Sequence, residues 1–189
     1  MKEPPGSIAS ASYPEDMVFL DFEASSFSGW PIEVALAWIP GGRSSSTGSL
    51  ASEAWLIQPE PDWDEAEWDP LAEEVHGLSL AELRRDGCSA FGVARAVAER
   101  LRGKLVVSDA ADVDGALLVR LFEAMGGPAP EYRLVDIASL LRQIDGDGRQ
   151  RFAAFMGAGP PPHRAEPDAL RLAHAWLAAL CWPGAPNAR

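Results

Sequence analysis

Cysteine is nearly absent from this chain: Cys88 and Cys181 are the only two, far apart and outside any C-x-x-C pair. That excludes a disulfide framework and a thiolate zinc cluster, and it fits the reducing cytosol. Positive charge is also scarce. The 16 Lys and Arg residues stand against 28 Asp and Glu, a formal net charge of −12. Tight, nonspecific gripping of a long polyanion by a basic surface is thereby disfavoured. A small polyanion held through bound cations is not, because a cation changes the local field. Long apolar runs are missing as well. The longest, around Leu172 to Trp182, is interrupted by His174 and is too short to span a bilayer. The opening MKEPPGSIAS lacks the apolar core of a secretion signal. A cytoplasmic protein with no membrane segment is the expectation.

What is present describes one ordinary domain of 189 residues with 47% hydrophobic content. Residues 1–15, with Pro4, Pro5 and Pro14, read as a loose arm, 16–183 as the folded domain and 184–189 as a tail. Apolar stretches at Met17 to Glu23, Pro31 to Ile39 and Ala51 to Ile57 read as strands, with turn chemistry over Gly41 to Gly48 between the second and third. Such a series predicts an antiparallel meander. Short helices are expected over Asp69 to Val75 and Ser79 to Arg85, and a longer one over Ser89 to Arg102 with a helical apolar period. A strand at Lys104 to Val107, a helix at Asp112 to Met125, a strand at Tyr132 to Asp136, a helix near Ile137 to Ile144 and a last helix from Pro167 to Leu180 complete the order. Gly157 to Pro162 reads as a stiff connector. The expected class is therefore α/β: a mixed five-stranded sheet, an antiparallel three-strand meander plus parallel strands, flanked by helices.

Asp21 and Glu23 stand two apart on the first strand, so their side chains share a face. Two carboxylates side by side repel unless a cation or proton lies between them, the arrangement of a hard-metal site. A lone D-x-E is a weak signal. Asp114 and Asp168 each fall in the first turn of an expected helix, where acids are favoured by capping and the dipole alone. Asp112 competes with Asp114 for the same role. A lone histidine such as His163 is usually just surface.

The combination says more than its members. VFLDFEASS, SDAADVDGALL (Ser108 to Leu118) and HRAEPDALRLA resemble, in order and spacing, the three motifs of the DEDDh 3′→5′ exonucleases. EVHGLS (Glu74 to Ser79) resembles the short segment that often lies between the first two. The resemblance runs from about Met17 to Trp182. It departs where Asp109, Ala110 and Ala111 replace the common His-Asn-Ala, and where Ala24 and Ser25 replace Thr-Gly.

The resemblance implies a ribonuclease H-like fold. It also implies Asp21, Glu23, Asp114 and Asp168 as ligands of two Mg²⁺ or Mn²⁺ ions, and His163 as general base. Ala24, Ser25, Ser26, Phe27 and Trp30 would bind the terminal nucleotide, with Phe27 or Trp30 stacking on its base. Single-stranded DNA or RNA, short or frayed at the 3′ end, is the implied partner, and a homodimer is left open. Two other readings remain: a noncatalytic binding module that has kept the fold, and a phosphodiesterase of small nucleotides. Glu33 is expected to be buried near the acids. Arg84, Arg85, Arg95, Arg100, Arg102 and Lys104 form the densest basic region, a candidate phosphate guide against the plainer reading of a solvated helix face.

Overall fold

A computed structural model describes residues 16–40 and 49–181. The expected arm, the turn over 41–48 and the tail lie outside the described residues.

The meander forms as expected. β1 (Met17–Ala24), β2 (Pro31–Trp38) and β3 (Ala51–Gln58) pair antiparallel in that order. β5 (Leu105–Ser108) then joins β1 in parallel, and β6 (Arg133–Asp136) joins β5 in parallel. Among the described residues the sheet has six strands, not the expected five. The extra one, β4 (Cys88–Ser89), pairs parallel to Ile57 and Gln58 and gives the order β4-β3-β2-β1-β5-β6. Two residues are too few to show a period, so no sequence pattern announces it.

Helices cover both faces. On one side lie α3 (Ala90–Leu101) and α4 (Ala111–Glu123), whose Val93, Val97, Leu101, Leu117, Leu118 and Leu121 pack on Val18, Leu20 and Phe22 of β1. On the other lie α5 (Ile137–Leu141), α6 (Gly146–Met156) and α7 (Ala165–Ala179). There Met17 and Phe19 of β1 and Ala35 and Ala37 of β2 meet Ala165, Ala169, Leu172, Ala173 and Trp176. Small residues at four-residue spacing on α7 face small residues on β2, which lets the helix lie close to the sheet. Burying each large side chain here stabilises the fold by roughly 1.5–3 kcal/mol.

α1 (Pro70–His76) and α2 (Leu80–Asp86) close one end over a third apolar cluster built on Trp30, Ile32, Leu78 and Leu83. The HGLS run explains their junction. Gly77, at φ 71, takes the left-handed turn that ends α1, and the Ser79 hydroxyl accepts from the Glu82 amide to cap α2. No helix among the described residues is long and apolar enough to cross a membrane.

Candidate metal centre

Strand alternation sets the site. The face of β1 that turns Met17 and Phe19 toward α7 continues, two residues at a time, as Asp21 and Glu23. Apolar contacts give way to acids where the strand reaches the start of α7, and the first turn of that helix supplies Asp168. Carboxylate oxygens of Asp21, Glu23 and Asp168 all lie within 4.8 Å of one another.

Asp114 stands beside this group. It is 4% exposed, in the first turn of α4, and its carboxylate accepts a short hydrogen bond from the buried Ser108 hydroxyl. That hydroxyl also accepts from the Ala110 amide at 2.9 Å, so the end of β5 holds the Asp114 side chain in place. Asp112, in the same turn, is exposed. Of the two acids, Asp114 is the one whose charge acts on Asp21.

The electrostatics show a site short of positive charge. Burial, followed by the charges of Asp114, Glu23, Asp109 and Asp168, pushes Asp21 up to about 10. Burial, then Glu33 and Asp168, pushes Glu23 up to about 7, with the nearby Arg164 pulling the other way. Burial raises Asp114 to about 7 against the opposing pull of its Ser108 bond. Asp109 is also raised, by burial first and then by Asp168 and Asp136, although its surface is open to solvent. Asp109 is thus a further acid at the rim, at one of the positions where the sequence departs from the common motif. The converging atoms are carboxylate oxygens alone, a donor set that suits Mg²⁺ or Mn²⁺ and offers nothing to a soft metal.

His163 is not among the converging side chains. It is exposed on the connector just before α7, with its backbone in the left-handed region at φ 54. Its neighbour Arg164 is anchored. The guanidinium donates from Nε to Glu33 Oε2 at 2.9 Å and from a terminal nitrogen to Oε1 at 2.7 Å. Glu33 is 4% exposed and also accepts from the Ala165 amide at 3.0 Å. The Arg164 amide in turn donates to Asp168 Oδ2 at 3.2 Å. Sequence pattern alone indicates that Glu33 is buried. Its partner, 131 positions away, has no local signal beyond lying next to His163.

The loop after β1 divides the residues expected to bind substrate. Phe27 is 90% exposed, while Ala24 and Ser26 are half-buried. Ser25 is buried, accepting from the Trp30 amide at 3.0 Å and donating to the Glu67 carbonyl at 3.3 Å. Trp30 is fully enclosed. Its ring lies 5.4 Å from Trp63 and 5.6 Å from Trp68, and its Nε1 donates to the Asp64 carbonyl. Ser25 and Trp30 therefore brace the loop from beneath, and Phe27 is the aromatic ring it presents to solvent. The Asp69 amide, donating to the Ser25 carbonyl at 2.8 Å, ties the start of α1 to this loop. α1 carries the exposed Leu71 and Val75.

Much of the basic region is engaged elsewhere. Arg84 pairs with Glu65, Arg85 with Asp86, Arg100 with Glu53 and Lys104 with Asp16. A cavity of about 720 Å³ lies away from the acids, between the start of β1, the end of β2 and α3, with Arg100, Lys104 and Trp38 in its wall.

Compared by sequence, the chain matches no protein-family model and no curated protein. Compared by structure, its fold is that of known exonucleases. It superposes on E. coli exonuclease I in complex with a dA16 oligonucleotide with a TM-score of 0.61 at 14% identity, covering 85% of this chain and 40% of that one. The zinc ion-bound form of the E. coli exonuclease I–single-stranded DNA complex gives 0.60 at 14%, over 88% and 39%. Exonuclease X in complex with 5′ overhanging duplex DNA gives 0.58 at 17%, over 91% and 95%. This chain thus spans about two fifths of the exonuclease I chains it matches and nearly all of exonuclease X.

Proposed function

We propose that this protein is a metal-dependent 3′→5′ exonuclease acting on short or single-stranded DNA or RNA. The observation that carries the reading is the meeting of Asp21, Glu23 and Asp168 within 4.8 Å, from two elements distant in sequence, with Asp114 alongside. Repelling acids gathered at the end of an apolar strand have a use when cations are bound, and little otherwise. The exonuclease fold and the nucleic acids held by its solved neighbours support the same reading. The direction of digestion rests on the motif resemblance.

In this reading Asp21, Glu23, Asp168 and Asp114 hold two Mg²⁺ or Mn²⁺ ions. Bound there, such ions supply Lewis-acid charge to a phosphodiester and acidify nearby water. The protein's own groups do the rest. His163 accepts the proton of the attacking water at a ring nitrogen, work suited to an imidazole near neutral pH. Its exposed, hinge-like position lets it approach once substrate is seated. Phe27 offers its face to the terminal base. With Arg84, Arg85, Arg100 and Lys104 already paired to carboxylates, most of the densest basic region is engaged, which favours short ends.

The test is incubation with Mg²⁺ or Mn²⁺ and 5′-labelled DNA or RNA, with Asp21→Ala as control. A ladder shortening from the 3′ end, dependent on metal and lost in the control, is expected. Intact labelled strands of both nucleic acids, or equal cleavage by the control, would overturn the reading.

A further inference from the structure

Among the described residues, the Glu33–Arg164 contact is unlike the other ion pairs. Those on the surface join side chains that are both well exposed, such as Arg84 with Glu65 or Arg85 with Asp86. Here the acid is buried and both of its oxygens are used, by the two-pronged guanidinium and by the Ala165 amide. In the β1–β2 register Glu33 lies directly opposite Glu23. Another carboxylate in that position adds repulsion to a site already crowded with acids, and its charge is the first neighbour to act on Glu23. Its three donors also occupy it, so it is not presented as a further ligand. Something other than metal binding must account for a buried acid there.

The geometry assigns that role. We propose that Glu33 and Arg164 are positioning residues: their two-pronged contact, with the Ala165 amide as a third strut, pins the first turn of α7 to β2 and gives His163 a fixed pivot beside the acids. The inference rests on the nuclease reading for the step that His163 performs. It does not rest on that reading for the mechanical claim.

Three details support it. The Ala165 amide belongs to the first turn of α7, where backbone donors have no partner within the helix, and Glu33 supplies one. The Arg164 amide holds Asp168 Oδ2, so the pinned residue reaches the cluster from its other side. His163, one position upstream, has left-handed backbone and an exposed side chain. The chain is therefore fixed at 164 and turned sharply at 163. A pivot so placed lets the imidazole swing while α7 and Asp168 stay still.

Arg164→Lys keeps the charge and gives up the two-pronged geometry. Glu33→Gln keeps the shape and gives up the charge. On a short labelled oligonucleotide, each is expected to lower kcat about 10- to 100-fold, the usual effect of losing a supporting contact behind a reacting group. KM should stay within about twofold, because ground-state binding is untouched. In a His163→Ala background, Arg164→Lys should cost little more, since both changes act on one step.

A second measurement needs no turnover. The Ala165 amide should be protected from hydrogen exchange in the wild type and released in both variants, while amides of β5 keep their protection. If the wild type cleaves nothing, the nuclease reading fails, and Ala165 exchange still decides whether the pair pins α7. Unchanged kcat would overturn the proposal, as would an undiminished loss in the His163→Ala background. So would an Ala165 amide that exchanges equally in all three proteins. A lower melting temperature with kcat per folded molecule intact would make the pair a stability element only.

Discussion

Burial first, and then every acid of the cluster, holds the Asp21 proton up to about 10. Asn at this position keeps the shape and removes the charge the others repel. Asp21→Asn should abolish nuclease activity yet melt no lower than the wild type in chelator, as read by thermal unfolding beside the cleavage assay. Near-normal cleavage would remove Asp21 from the site. His163 makes a different forecast, because it stands outside the converging ligands. His163→Ala should lose about 10²- to 10⁴-fold in rate, the usual range for a missing general base. It should still bind Mn²⁺ as the wild type does in calorimetry, and raised pH should restore part of the rate by supplying hydroxide. Lost metal binding would make the residue a ligand or a support.

Among the elements, the loop between β1 and β2 shows how an exposed loop is braced from below. The Ser25 hydroxyl satisfies both the Trp30 amide and the Glu67 carbonyl inside the protein. Ser25→Ala strands both groups at a cost of about 1–3 kcal/mol. Chemical denaturation should show that loss, and KM for a short oligonucleotide should rise as Phe27 loses its footing. An unchanged midpoint would mean that water replaces the hydroxyl. The same loop marks a limit of sequence reading. Trp30 and Phe27 both follow the acid pair, and nothing local separates the ring facing solvent from the one sealed between Trp63 and Trp68. That choice is made by α1 and the turn before it, which come later in the chain. Strands β1 to β3 and helix α3 were legible because their apolar residues repeat at a strand or helix period. α6 was not. Its Gly-Asp-Gly opening is poor in helix formers. It is held by partners far along the chain: Arg151 donates to the Ala178 and Ala179 carbonyls at 3.1 and 2.8 Å. A Cβ on Gly148 would meet the Ala179 carbonyl oxygen at 3.1 Å, so the glycine that weakens the helix also lets it pack. In the site, alternation put Asp21 and Glu23 on one face of a strand, and only the order of the motifs marked them as a pair of interest. Asp109 and the Arg164 partner of Glu33 depended on contacts between distant segments.

For the whole molecule, the raised acids link stability to pH. Glu23 moves from 4.5 to about 7, Asp114 from 3.8 to about 7 and Asp21 from 3.8 to about 10 on folding. The folded chain therefore binds these protons more tightly than the unfolded chain. Their contribution is complete below about pH 4, falls as pH rises, and is gone for Glu23 and Asp114 above about 7. In chelator the melting temperature should fall between pH 5 and pH 8, and Mn²⁺ should flatten that fall by replacing protons as counter-charge. A melting temperature that climbs over the same range without metal would contradict the cluster's electrostatics. The net charge of −12 sets a second expectation. With two or three phosphates gripped, log affinity against log salt should slope by roughly −1.5 to −2. Short and long single strands should then be cut at similar rates in a salt series. Strong preference for the long strand with a steep slope would reveal a basic groove or a partner protein.

Asp21 and Asp168 lie about 150 positions apart. A ribosome making this protein threads out β1 well before α7. At about 5–20 residues per second, the first acids wait on the order of 10–30 s for the residue that completes their cluster. Until α7 emerges and docks, the nascent chain carries only part of the acidic cluster. A premature stop, or a proteolytic cut before Ala165, leaves a fragment without the Asp168 corner. The wide spacing of the acids thus makes the complete cluster a property of the folded chain, absent until α7 has been made.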